Sequence, residues 1–332
     1  MTAATPAVPV PVREGRRPHP WVRFGVRRLG RLLVSMWVLL TASFLMLHAI
    51  PGDPVRAALG PTAPADLVAA KRESLGLDDP LWQQYLHFVH GFLTGDLGES
   101  LLSRLPVSDV IAQRLPATLW LAVLGFLFAV AIAVPLGTAA GVLTRRGHGR
   151  RTELAFTTSS VVLGTVPDFM IGVGLVYVFG IRLAWLPVAG NDTPSAYVLP
   201  VIALGIGPGV ILARIIRVEL VSVLQADFVR TARAKRLPRR TVYLGHALPN
   251  ALTAALTLGG LLLGAMVAGT VLVENVFAWP GLGSTIVGSI LNKDYPVVQG
   301  IVLVYGVAVL VTNTLVDVAL ALLDPRSLIR ED

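Results

Sequence analysis

Six stretches of this chain are too long and too apolar to belong to a water-soluble core. A bilayer interior needs about 20 consecutive apolar residues in helical form, because it contains no water to satisfy free backbone groups. Residues 32–50, 117–143 and 247–273 carry no Asp, Glu, Lys or Arg. Residues 154–181 carry only Asp168 and residues 296–323 only Asp317. The fourth segment, 196–213, is uncharged and then runs into Arg214, Arg217 and Glu219 as it nears an interface. The composition agrees: 54% of the 332 residues are hydrophobic and 14% charged, against about 25% charged in an ordinary soluble domain. The expected fold class is all-α, a polytopic membrane protein with six transmembrane helices. The apolar run after the basic N-terminus exceeds the ~7 to 15 residues of a cleaved signal, so it is expected to remain as the first span.

Orientation follows from where the cations lie. Residues 13–31 hold seven Lys or Arg, 145–151 hold four, 214–240 hold eight and the C-terminal tail two, which is 21 of 28. The alternate connections, 51–114, 182–195 and 274–295, share the other seven. The positive-inside rule therefore puts both termini in the cytoplasm. The net charge of +8 is a topology signal, and the lipid bilayer is the partner it implies. No nucleic acid is expected, since the basic residues lack interleaved aromatic stacking residues. Residues 1–26, rich in Pro and Arg at their start, have the composition of a disordered cytoplasmic tail. Residues 27–113 comprise the first span and a large external region, and residues 114–332 a five-helix core with a cytoplasmic loop at about 220–247.

Chemistry is sparse. The absence of cysteine excludes disulfides, thiolate metal sites and cysteine catalysis. No G-x-x-x-x-G-K-[ST] occurs, so the chain brings no phosphate-cradling loop of its own. His87 and His90 in "HFVH" are two imidazoles without a third ligand, and "PLWQQYLHFVHGFL" reads better as an amphipathic helix on the outer membrane surface. No cofactor or metal is expected, and the chain is not expected to be an enzyme. Asp168 and Asp317 are costly to bury and so are candidates for a proton-coupled carrier. The structural alternative has Asp168 following Val166-Pro167, where a proline frees a backbone group, and Asp317 hydrogen-bonded in the bundle beside Asn313.

"DFVRTARAKRLPRRTVYLGHALPN", residues 227–250, places a dense basic loop directly before the fifth apolar run. Pro238 lacks an N–H and biases Leu237 away from helical angles, so a turn is expected near 236–238. The reading is a helix continuing out of the fourth span, a break, and a second short helix entering the fifth. Such an angled pair could dock into a groove of a soluble partner; the alternative is a solvated connector that only sets topology.

This stretch resembles the cytoplasmic coupling loop of permeases in binding-protein-dependent ABC importers, whose pattern is E-A-A, three residues, G, nine residues, I-x-L-P. Arg230, Thr231 and Ala232 fall on E-A-A, Arg236 on the glycine, and His246, Ala247, Leu248 and Pro249 on the last element with the spacing intact. The match is tighter to the oligopeptide, dipeptide and nickel branch, which has D-Y-V-R-T-A-R-A-K-G-L followed by R-H-A-L and N-A-L. "IPGDP" at 50–54, "ESLGLDDPLWQQYLHFVHGFLTGDLGES" at 73–100, "RLPATLWLA", "RLAWLPVAG" and "VENVFAWPGLGSTIVGSILNKDYPVVQG" are similar to the same branch in the same order, over residues of about 27–330. Trp120 and Arg236 depart from it, where the branch often has Glu and Gly.

The resemblance implies a permease subunit that encloses, with a second homologous permease, a path for oligopeptides or dipeptides. Two ATP-binding subunits would hydrolyse ATP, and an external solute-binding protein would deliver the substrate. Nickel and glutathione importers share this architecture, and a proton-coupled secondary carrier is the alternative of another class. The expected ATPase-coupling residues are Asp227, Arg230, Thr231, Ala232, Arg233, Ala234, Lys235, Arg236, Leu237, Pro238, His246, Leu248 and Pro249, with Arg230 and Arg233 on the exposed face. Arg236 would hold the left-handed position at which the family's glycine ends the first coupling helix. The external region 51–114 reads as a landing surface for the binding protein or as a lid over the bundle. Residues 274–295, with "WPGLG", suggest a half-helix dipping back toward the membrane.

Overall fold

The computed structural model describes residues 20–49, 53–60, 62–74, 76–144 and 149–323. Most of the N-terminal tail, the basic residues Arg145 and Arg146, and the C-terminal Arg326 and Arg330 lie outside these. Among the described residues the chain is helical, and its one β-bridge joins Glu99 and Pro106. In order come α1 (Pro20–His48), α2 (Pro54–Leu59), α3 (Ala65–Ser74), α4 (Leu81–Thr94), α5 (Val107–Leu143), α6 (Arg150–Thr165), α7 (Asp168–Leu175), α8 (Val198–Val223), α9 (Asp227–Ala234), α10 (Leu248–Val276), α11 (Leu282–Leu291) and α12 (Tyr295–Leu323). Five of these are long and apolar enough to cross a membrane.

The third expected span is not one rod. α6 and α7 meet at a 92° bend, because Pro167 cannot donate a helix hydrogen bond and forces Val166 into extended angles (φ −70°, ψ 125°). Counting the bent pair as one span makes six. Asp168 is the first residue of α7, half-buried, and its Oδ1 faces Gly207 of α8. α5 also begins earlier than its apolar run, so the expected division at 113/114 falls inside a continuous helix.

α8 is the central helix, with 67% of its apolar window fully buried within the chain, whereas α12 has 11% and most of its residues are half-buried. α5 packs on α8 through small residues at intervals of four. Gly125, Ala129, Ala133, Gly137 and Gly141 are all buried on one side of α5 and meet Gly205, Gly209 and Ala213 on α8. A Cβ at Gly205 would come within 2.6 Å of the Gly125 carbonyl oxygen, and one at Gly137 within 2.5 Å of that of Ala213. In a membrane, where apolar burial drives helix association little, such close backbone approach is the main source of packing energy.

The contacts put the basic ends at one pole. α5 and α8 run parallel, with Gly125 against Leu204 and Gly141 against Leu220. α10 and α12 run antiparallel, with Gly260 against Val316 and Thr270 beside Tyr305. Arg28 of α1 forms an ion pair with Asp317 of α12. Asp317 is thus held by a cation from another helix, which corrects the expectation of a hydrogen bond beside Asn313.

Candidate functional site

At this pole α8 stops at Val223, and a turn at 224–226 leads into α9 as a separate helix. Val229 and Ala232 form the buried side of α9, packed with Leu220, Leu224, Val242, Ala247 and Ala251. The i, i+3 spacing of these two apolar residues within a charged octapeptide explains why α9 lies flat across the ends of α8 and α10. Its other face is solvent-exposed. The Asp227 and Arg230 side chains are 94% and 71% exposed and pair with each other at 3.2 Å, an i, i+3 contact worth only a few tenths of a kcal/mol (~0.3). Thr231 is exposed and turns its hydroxyl back to the Asp227 carbonyl. Arg233, expected beside Arg230 on the exposed face, is instead half-buried.

α9 ends as the family pattern implies. The Arg236 N–H donates to the Arg233 carbonyl (2.9 Å) and the Leu237 N–H to that of Ala232 (3.4 Å), with Arg236 at φ 56°. This is a Schellman closure, whose left-handed position normally favours glycine. Ala234, Lys235, Arg236, Leu237 and Pro238 are all exposed around it. Beyond Pro238 the helix resumes at Arg239, as expected of a second short helix entering the fifth span, and runs into α10 without a break. It enters a wide π-helical segment, Thr241–Ala247, continuous with α10. Pro249, which lacks an N–H, sits in the first turn of α10, and the Leu248 N–H reaches back to Tyr243, so the backbone widens to absorb the missing donor. His246 and Leu248 are half-buried in this segment, Pro249 is exposed, and Asn250 Nδ2 donates to the His246 carbonyl. Arg217, expected at an interface, is bonded into the bundle just above. Its Nη2 lies 2.5 Å from Glu153 Oε1 and its Nε donates to Thr144 Oγ1 at 3.0 Å. It thus ties together α8, α6 and the end of α5.

The opposite pole holds α11, the short apolar helix within residues 274–295. Its first-turn N–H groups are all satisfied. Leu282 donates to Thr118 Oγ1 (2.8 Å), Gly283 and Ser284 to Glu274 Oε2 (2.6 and 3.1 Å), and Thr285 to the Gly281 carbonyl (3.2 Å). The Thr118 hydroxyl in turn donates to Glu274 Oε1 at 2.7 Å. A carboxylate at a helix N-terminus is held by the free N–H groups and the helix dipole. Fully buried Glu274 thereby pins α11 to α5. The fit requires glycine, since a Cβ at Gly281 would lie 2.4 Å from Glu274 Oε2. Trp279, also fully buried, donates from Nε1 to the Ala117 carbonyl. On the outer side of α1, α4 is anchored by Tyr85 to Thr41 (2.9 Å) and by Gln84 to His48 (3.1 Å). His87 and His90 lie on this helix, and no group of three or more metal-ligating side chains occurs among the described residues.

Residues 133–328 match the family described as binding-protein-dependent transport system inner membrane component, and residues 21–122 match its N-terminal companion. The chain belongs to this permease family. Among the most similar relatives is the glutathione transport system permease protein GsiC of Escherichia coli O6:H1, 38% identical over 304 residues, which cover 92% of this chain and 98% of the relative. GsiC of Shigella flexneri serotype 5b is 37% identical over the same shares. A crystallised amino acid ABC transporter is 18% identical, covering 64% of this chain and 92% of that one, with a TM-score of 0.47. The protein is a multi-pass inner-membrane permease of an ABC importer, in the oligopeptide, dipeptide and nickel branch.

Two features of this permease escape a reading of the sequence. Glu274 reads there as part of the outer connection, although it ends an uncharged run and precedes "WPGLG", the one available hint that an acid caps a following helix. The Arg217–Glu153 pair joins residues far apart in the chain, and nothing local marks it. Trp120, at the position where the branch often has Glu, is 60% exposed on the outer face of α5.

Proposed function

We propose that the chain works with a second, homologous permease to enclose a path for oligopeptides or dipeptides, delivered by an external solute-binding protein and driven by two ATP-binding subunits. Both termini and α9 face the cytoplasm. The reading is supported by the gathering of the basic connections at one pole, where the positive-inside rule favours the cytoplasmic side. Glutathione, for which the GsiC relatives are named, is a tripeptide thiol and forms the second substrate reading.

The observation that carries the mechanism is the seat of α9. Its apolar side is wedged against the ends of two spans, and its charged side is left for a partner. The proposed docking element is Asp227 through Pro238, continued by His246, Leu248 and Pro249. Closure of the ATP-binding pair would move α9, and α8 and α10 with it, as a rigid-body two-state switch. Arg217 extends the lever to α5 and α6. The external region receives the binding protein at the opposite pole.

Reconstitution of the purified subunits in vesicles tests this reading. ATP-dependent uptake is expected only when every partner is present, and uptake by the lone chain along an ion gradient would establish the carrier instead. Arg230→Glu with Arg233→Glu should leave the permease pair inserted and abolish ATP-driven uptake. Wild-type assembly and uptake in that variant would remove α9 from the coupling role.

A further inference from the structure

The far end of α11 is held by a second buried carboxylate, remote from α9. Asp294, 3% exposed, follows α11 and precedes α12. Both of its oxygens are engaged by the external region. The Ser100 hydroxyl donates to Oδ2 at 2.5 Å and the Leu101 N–H to Oδ1 at 3.0 Å, across more than 190 residues of chain. Ser100 is itself buried, and its Oγ also accepts the Ser103 N–H at 3.0 Å. A single hydroxyl thus closes the external turn and joins it to the carboxylate. The turn is internally tight, with Ser100 N–H on the Leu105 carbonyl and Val107 N–H on that of Gly98, both 2.9 Å.

The backbone approach beneath the latch is equally close. A Cβ at Gly300 on α12 would lie 2.6 Å from Val107 Cγ1, so the start of α5, next to the turn, rests directly on α12. Val107 and Ile111 pack with Leu282, Ile286 and Ile301 in one apolar cluster. α11 is therefore bounded by two buried carboxylates, Glu274 joining its start to α5 and Asp294 joining its end to the external turn.

We infer that Asp294 is a positioning residue that makes the external turn 98–107 and α11 one rigid block, so that a solute-binding protein seated on the external region acts directly on the half-helix at the outer mouth. Buried, fully hydrogen-bonded contacts of this kind move as units, because separating them strands a charged group without partners. The inference rests on the reading of the external region as the landing surface. Asp294 does not touch the binding protein; it acts through α11.

The test is ATP hydrolysis by the complete complex in lipid nanodiscs, with and without substrate-loaded binding protein, in wild type, Asp294→Ala, Asp294→Asn and Ser100→Ala. Asp294→Ala is expected to lower the maximal stimulation at least about fivefold, the lower end of measured site-to-site couplings. Basal hydrolysis and the half-saturating concentration of binding protein should not change. Ser100→Ala and Asp294→Asn, which each remove part of the contact, should fall between, and the Ala/Ala double variant should be no worse than Asp294→Ala alone. Hydrogen exchange in Asp294→Ala should rise together in residues 101–104 and 282–291. Unchanged stimulation in these variants, or basal and stimulated rates falling in proportion, would overturn the inference while leaving the importer reading intact. If Asp294→Ala does not assemble, the two milder variants decide by the same criterion. A wild-type complex that loaded binding protein does not stimulate would overturn the proposed delivery by a binding protein on the external region, and this inference with it.

Discussion

Arg236 pays a backbone penalty that its family avoids with glycine. At φ 56° a side chain costs roughly 1 kcal/mol, so Arg236→Gly should stabilise the chain by about that amount, visible as a higher thermal midpoint of the detergent-solubilised complex. Thr118 presents the opposite case. Its hydroxyl serves Glu274 and the Leu282 N–H together, and Thr118→Val, close in shape, leaves both under-satisfied inside the bundle, at a cost of about 1–3 kcal/mol. The same assay should register the loss, whereas a midpoint equal to wild type would mean that the half-helix is not held there. In the external region, burial pushes the Asp53 carboxyl up, but the Arg72 guanidinium and the Arg56 and Val55 N–H groups outweigh it and hold the carboxyl below its ordinary 3.8. A depressed carboxyl contributes its stability above the unfolded value and loses it as the pH falls through the folded one. The amides of Val55 and Arg56, which the carboxylate accepts, should therefore stay protected from hydrogen exchange near neutrality and lose protection only below about pH 4; Asp53→Asn should blunt that dependence.

Helices assemble here by shape more than by polarity. The stripe from Gly125 to Gly141 lets α5 lie against α8, and Gly137→Val would drive a side chain into the Ala213 carbonyl and Ile216. Because the obstacle is backbone, overpacking should cost about 1–3 kcal/mol or more and lower the yield of folded permease. Gly259→Ala is the control: its nearest neighbour would be an ordinary 3.6 Å away, and the gain in helix propensity, up to about 1 kcal/mol, should leave the yield at or above wild type. Periodicity on this scale was readable in the sequence for the long spans, since length and lack of charge suffice to define them. For the third span it located the segment but not its shape. The 92° bend at Val166-Pro167 has a local cause, but its angle depends on α8, against which both halves pack. In the second helix of the basic loop, the break at Pro238 was legible locally, whereas the π-helical widening over Thr241–Ala247 was not.

The molecule as a whole is organised between two poles, one basic and joined to α9, the other carrying α4, the external turn and α11. Since the chain has no cysteine, single substitutions report sidedness without background. Arg240→Cys should react with a membrane-impermeant thiol reagent only in inside-out vesicles, and Gln83→Cys in intact cells; the reverse pattern would invert the topology. The number of apolar segments, their alternating direction and the motif of the basic loop were all present in the order of residues, because hydropathy, charge bias and turn chemistry act over a few neighbouring positions. Which acids matter was decided only in three dimensions. Asp168 and Asp317 attract attention because they interrupt apolar runs, yet Asp317 is neutralised by Arg28. Glu274 and Asp294 look like loop residues and are the most deeply buried acids among those described. Each also has a hydrogen-bond partner more than 150 residues away along the chain, and a contact of that kind exists only once the helices have packed and excluded water from it.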